Sequence, residues 1–236
     1  NLLVIFSEIG DKTIPVRPYR LFQVETLNSN DDDPFDVSLN SRADDFVTGL
    51  IVWQKSLIIF TRQGVWRISG NDGSFNASNY SLNLISTLGL VNSYSVTVAE
   101  KSVLFLSDVG VFDLSLGIDS DDYVASEKSL KIRKVFTDII DVRTVAREGL
   151  AWMSYDSNTQ KVYLGLPINE FDYTSSKLYV YNVFRESWTE YFTPSGFYTY
   201  YGTQYQDFTD GTQYILSVVT RHNGSNEPSN RLLVRT

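Results

Sequence analysis

The acidic side chains are the first place where this sequence holds residues capable of chemistry. Asp31, Asp32 and Asp33 run together with Asp36 close behind, Asp44 and Asp45 are adjacent, and Asp119 stands near Asp121 and Asp122. Clustered carboxylates offer the hard oxygens that calcium takes, and Asp119, Asp121 and Asp122 are the best-spaced set. None follows the EF-hand order, with its fixed glycine and closing glutamate. A solvated loop is the other reading of each cluster. A second carboxylate chemistry is glycoside hydrolysis, which needs a pair about 5–10 Å apart. Glu8, Asp108 and Glu186 fall near turns of the hairpins described below and are the candidates for such a pair.

Other residue types offer less. His222 is the one histidine, in the polar turn Arg221-His222-Asn223-Gly224-Ser225, where Asn-Gly marks a hairpin. Any Ser-His-Asp triad would have to run through it. Asn76, Asn79 and Asn223 each open an Asn-x-Ser pattern, which matters only in a secreted eukaryotic chain. Lys128, Lys131, Arg133 and Lys134 crowd one short stretch. Contact with DNA, contact with an acidic neighbour and a solvated face are all open to them. The aromatic run Phe197–Phe208 includes Tyr198, Tyr200 and Tyr205. Exposed tyrosines stack on sugars or anchor a subunit interface. Cross-strand aromatic pairing on an outer strand is the competing reading, and Gly202 interrupts the alternation.

Composition narrows the choices. The 236 residues contain no cysteine, so disulfides, thiolate zinc sites and cysteine nucleophiles are excluded. A single histidine excludes multi-histidine metal sites. Twenty basic against twenty-eight acidic residues give a net charge of −8, which disfavours tight binding to nucleic acid. No apolar run approaches the ~18–20 residues of a membrane helix. No metal or cofactor is expected. The chain begins at Asn1 and its only methionine is Met153, so it is expected to be processed or a piece of something longer.

Strands must position whatever site exists. Aromatics make up 14% of the chain, and Val, Ile and Thr fill short runs broken by Gly, Asn, Asp and Ser. Runs such as Leu57–Thr61, Val65–Ser69, Val103–Ser107, Val111–Ser115, Lys161–Leu166 and Lys177–Tyr181 are predicted strands. One short helix is predicted over Ser126–Ile140, with Ser126 as N-cap and Leu130, Val135, Ile139 and Ile140 as its apolar stripe.

An internal repeat organises these runs. Gln54–Ser69 and Glu100–Ser115 align without a gap at a period of 46 residues. Gly64-Val65-Trp66 matches Gly110-Val111-Phe112, and Ser69 matches Ser115. Leu2–Gly10 is a partial third copy; Gln160–Pro167 and Thr212–Thr220 are weaker ones. Each unit is predicted as strand, tight turn, strand, with Gly10, Gly64 and Gly110 as turn glycines supplying positive φ. Hairpins repeated every ~40–50 residues predict an all-β fold, a β-propeller or part of one, over a single domain 1–236. A β-sandwich with similar hairpins is the alternative.

In their order, these segments resemble the propeller region of phage tail nozzle proteins, also called tail tubular protein B. The resemblance rests on Leu57–Gly70, on Gly89-Leu90-Val91 through Ser95-Val96, and on Val103–Val111. It extends to Ser175–Trp188 and to the acidic entries Asp31–Asp36 and Asp44–Leu50, and covers about Leu2–Phe192. It implies a structural virion protein without catalysis, in a ring of about six copies at the distal end of a tail. Such a ring extends the DNA ejection channel, passes the genome without specific binding, and contacts adaptor and fibre proteins. The full family has further domains, so the resemblance also implies a fragment. The rival reading is a carbohydrate-binding or carbohydrate-cleaving propeller, a lectin or glycosidase. Its repeated site would require like residues at like turns, but Arg62-Gln63 in one copy answers to Asp108-Val109 in the next. A third reading is a monomeric adhesion or scaffolding propeller.

Overall fold

The structure is a computed structural model. It describes residues 2–6, 20–24, 35–39, 44–70, 80–116, 123–140, 151–167, 176–191, 197–206, 213–221 and 229–235. Side chains are described over 37–39, 44–70, 80–115, 123–136, 151–166 and 177–191. The fold is all-β and propeller-like, built from antiparallel sheets with one short helix. The chain divides into two compact units, Asn1–Gly89 and Leu90–Thr236.

The first unit holds a three-stranded sheet, β1 (Leu2–Phe6), β2 (Arg20–Val24) and β3 (Phe35–Asp36). It also holds a four-stranded meander, β4 (Val47–Trp53), β5 (Ser56–Thr61), β6 (Val65–Gly70) and β7 (Tyr80–Ser86). Every residue of β5 is buried, so this strand is covered on both faces and shows no alternation. One face of the meander packs Leu57, Ile59, Trp66 and Ile68 against Val37 and Leu39.

The second unit holds two four-stranded meanders and a three-stranded sheet. The first meander is β8 (Val96–Ala99), β9 (Ser102–Ser107), β10 (Gly110–Leu116) and β11 (Tyr123–Glu127). A 3-10 turn (Leu130–Ile132) and α1 (Arg133–Ile140) follow. The second meander is β12 (Trp152–Asp156), β13 (Lys161–Pro167), β14 (Ser176–Asn182) and β15 (Ser187–Tyr191). The last sheet is β16 (Phe197–Gln206), β17 (Gln213–Arg221) and β18 (Ser229–Arg235). The first strands of the three sheets are neighbours, with β12 lying against both β8 and β16. That is the arrangement of successive propeller blades.

Between the two meanders of this unit lies its main core. Leu104, Leu106 and Val111 meet Met153, Tyr155, Leu164, Tyr179 and Tyr181, and Phe136 of α1 closes the cluster. Each fully buried side chain of this kind contributes about 1.5–3 kcal/mol. The opposite face of β12–β15 carries Trp152, Tyr163, Leu178 and Val180. Alternate residues thus serve alternate faces, as the pleat requires.

The 46-residue repeat corresponds to one sheet per copy. Gln54–Ser69 supplies the first turn and two middle strands of β4–β7, and Glu100–Ser115 does the same for β8–β11. The next weaker copy, Gln160–Pro167, supplies β13. It comes later than the period demands because the 3-10 turn and α1 are inserted between β11 and β12.

Two local expectations need correction. Gly64 stands in the β5–β6 turn, where Thr61 N–H donates to its carbonyl at 2.8 Å, but its φ is not positive. Positive φ falls instead on Gln54 (46°), Lys55 (60°), Glu100 (51°), Gln160 (53°) and Glu186 (46°), all in hairpin turns. Gly110 does have positive φ, 154°. It also sits so close to the Ser129 hydroxyl that a Cβ would collide with it. Gly10 lies outside the described residues.

The second correction concerns the helix. Ser126 is a strand residue of β11, opposite Asp113 of β10, and its hydroxyl donates to Asp113 Oδ1. Pairing with β10 holds this segment extended through Glu127, so the helix begins only at Arg133. Leu130, expected in the apolar stripe, is 63% exposed, and Phe136 makes the buried contact instead.

Candidate functional site

Several candidates lie outside the described residues: Glu8, Asp31, Asp32, Asp33, Asp119, Asp121, Asp122, His222, Asn76, Asn79 and Asn223. Asp36 ends β3. Asp44 and Asp45 hold a turn. Asp45 Oδ1 accepts from Phe46 N–H and Gln63 N–H, both at 3.0 Å, and Asp44 Oδ1 accepts from Gln63 Nε2 at 3.1 Å. Among the described residues, no group of three or more His, Asp or Glu side chains stands together to hold a metal.

The tyrosine run forms β16. Tyr198 stands opposite Thr220 and Tyr205 opposite Tyr214. The register breaks between Thr199 and Tyr201, so Tyr200 is the bulged residue and the interruption lies there rather than at Gly202. The side chains of Tyr198, Tyr200 and Tyr205 lie outside the described part. Asp108 sits in the β9–β10 turn and Glu186 in the β14–β15 turn, on different sheets.

Glu186 belongs to a charged cluster joining the two meanders of the second unit. Lys128, just after β11, donates to Glu186 Oε1 at 3.1 Å and lies 3.6 Å from Asp113 Oδ2. Lys131 donates to the Glu186 carbonyl at 3.2 Å. Trp188 Nε1 donates to the Lys128 carbonyl at 2.8 Å, and its ring packs on Tyr181 at 4.9 Å between centroids. Arg133 pairs with Glu127 at 3.7 Å. Partial burial pulls the Lys128 pKa down, but Asp113 and Glu186 outweigh it, and the net value is above the ordinary lysine range. So three of the four basic candidates are engaged by neighbouring groups, two of them with the carboxylate candidate Glu186. The arrangement clamps one sheet to the next.

A second polar junction joins the same sheets. Gln160 Nε2 donates to Glu100 Oε1 at 2.9 Å, and Tyr155 OH donates to the same oxygen at 3.3 Å. Burial first, then the Glu100 charge and hydrogen bond, pushes the Tyr155 pKa up to about 12. The fold therefore favours the neutral phenol. Its contribution is complete below about pH 10, the ordinary tyrosine value, and is lost as pH rises from there toward the folded value. The urea midpoint is expected to fall across that window, and Tyr155→Phe to remove part of the fall. An identical fall in the variant would refute the assignment.

Asp113, Glu100, Tyr155 and Trp188 escape a motif search because no single segment contains them. One signal for Asp113 is readable: it aligns with Arg67 in the other copy of the repeat. A charge recurring at one position of an otherwise apolar strand marks a side chain with a dedicated partner. Arg67 Nε donates to Ser56 Oγ at 3.0 Å, and Asp113 accepts from Ser126.

No family model matches the chain, and no curated protein matches it. Among solved structures, a match of TM-score 0.43 is the crystal structure of a nidogen/laminin complex. It is 8% identical and covers 93% of this chain and 75% of that one, too slight a likeness to bear on function.

Proposed function

We propose that this chain is a structural module of a virion, a tail nozzle-like propeller that assembles into a ring around the DNA ejection channel. Its partners are other copies of itself and the adjoining adaptor and fibre proteins, and DNA passes without specific binding. Catalysis is no part of this reading. The observation that favours it over the carbohydrate-cleaving reading is the engagement of Glu186, a candidate for the catalytic pair. This carboxylate is bound by Lys128 across two sheets, and its own carbonyl is bound by Lys131. The hairpins Leu57–Gly70 and Val103–Val111, which carry the resemblance, are middle strands of two meanders, where they serve packing. Light scattering tests the reading. Particles of about six chains are expected. A monomer at every concentration, with sugar binding or hydrolysis, would replace it with the carbohydrate reading.

A further inference from the structure

The β14–β15 turn, Val183–Glu186, presents an aromatic ring to solvent on a fixed support. Phe184 is 82% exposed, the most exposed large apolar side chain among the described residues. The residues around it are anchored. Val183 N–H donates to the Gln160 carbonyl at 3.0 Å, and Arg185 N–H donates to Asn182 Oδ1 at 2.8 Å. Glu186, with positive φ, is held by Lys128 and Lys131. Val183 packs against the core. A ring held out this way has little backbone freedom left to lose on binding.

Beside the exposed Glu186 carboxylate, which Lys128 engages, the surroundings carry several basic groups. Arg185 is exposed beside Phe184. Lys131 reaches the turn itself, and exposed Lys134 follows one turn later. Exposed Leu130 adds apolar surface next to Lys131. No acidic residue occurs between Lys128 and Phe136, in a chain whose net charge is −8. Aromatic residues and arginine are enriched where proteins meet, and complementary charge selects the partner. The partner that fits a cationic aromatic knob is an acidic protein, and a second copy of this chain, with a net charge of −8, meets that requirement.

We propose that Phe184 and Arg185, flanked by Lys131 and Lys134, form the knob by which one copy docks head to tail on the acidic surface of the next. The inference rests on the ring reading above and gives that ring a heterologous contact. The test is sedimentation of the 236-residue chain at low and high salt, alongside Phe184→Ser and Arg185→Glu. Both variants are expected to raise the self-dissociation constant at least about tenfold, with unchanged circular dichroism, because both side chains lie in solvent. High salt is expected to weaken the unmodified chain. Association equal to that of the unmodified chain in both variants would overturn the knob and leave the ring standing. An unmodified chain that never self-associates would overturn both. Binding of a short DNA duplex, lost in Arg185→Glu while self-association persists, would assign the patch to nucleic acid and overturn the proposal.

Discussion

Gly165→Ala is expected to destabilise the fold by about 3 kcal/mol or more, near the upper end for overpacking a core. Gly165 of β13 stands directly opposite Trp152 of β12, and the indole lies over the glycine. A Cβ at Gly165 would come 2.8 Å from Trp152 Cδ1, and closer still to Nε1 and Cε2. The indole has nowhere to retreat, since Trp152 is among the most deeply buried side chains and packs with Tyr163, Leu178 and Val180. Its Nε1 is buried without a hydrogen-bond partner, so an apolar ring at 152 loses no bond there. Trp152→Phe in the Gly165→Ala background is therefore expected to recover much of the loss, a strongly non-additive pair. Urea midpoints of the two single variants and the double variant measure this. An unshifted midpoint for Gly165→Ala would show that the indole does not lie over the glycine.

Lys128→Met is expected to cost about 2 kcal/mol, below the 3–5 kcal/mol of a fully buried pair because the ammonium keeps some contact with water. Two carboxylates receive that ammonium, and their surroundings decide which one matters. The Asp113 side chain is 10% exposed, whereas that of Glu186 is 66% exposed. Removing the lysine leaves Asp113 charged, nearly buried and served by the Ser126 hydroxyl. Glu186 meets water either way, so Glu186→Gln is expected to cost less than about 1 kcal/mol. Asp113→Asn added to Lys128→Met removes the stranded charge and is expected to return part of the stability. If Glu186→Gln proves as costly as Lys128→Met, the clamp depends on the outer ion pair and this ranking of the two carboxylates is wrong.

The strands that were legible in the sequence are those covered on both faces. SLIIFT, SVLFLS and KVYLGLP are continuous apolar runs, and each became a middle strand of a meander. Two of the three fourth strands are harder to read. YSLNLIS of β7 and YVASE of β11 carry polar residues because much of their surface meets solvent, and the predicted helix overlaps the last two residues of β11. The repeat disclosed the sheet plan because each copy encodes one sheet. It did not disclose the turn chemistry: positive φ fell on Gln54, Lys55 and Glu100, side chains with no marked preference for it. The charged junctions were the least legible. Lys128 meets Asp113 through strand pairing and Glu186 through the stacking of sheets, neither of which a single segment encodes. Where one side of the contact did repeat, at Arg67 and Asp113, the sign of the charge changed between copies.

Among the described residues, every strand of the five sheets pairs only with its immediate neighbours in sequence. Paired strands are separated by at most thirteen residues, and closure entropy grows only slowly with loop length, so the cost of closing each pair is modest. A chain leaving the ribosome therefore finds each strand's partner already made, and each sheet is complete in its hydrogen bonds before the next begins. Among the described strands, no pairing joins segments that are distant in sequence. Between the two meanders of the second unit, the step that remains is the stacking of finished sheets, and there the buried rings and the Lys128 clamp select the neighbour.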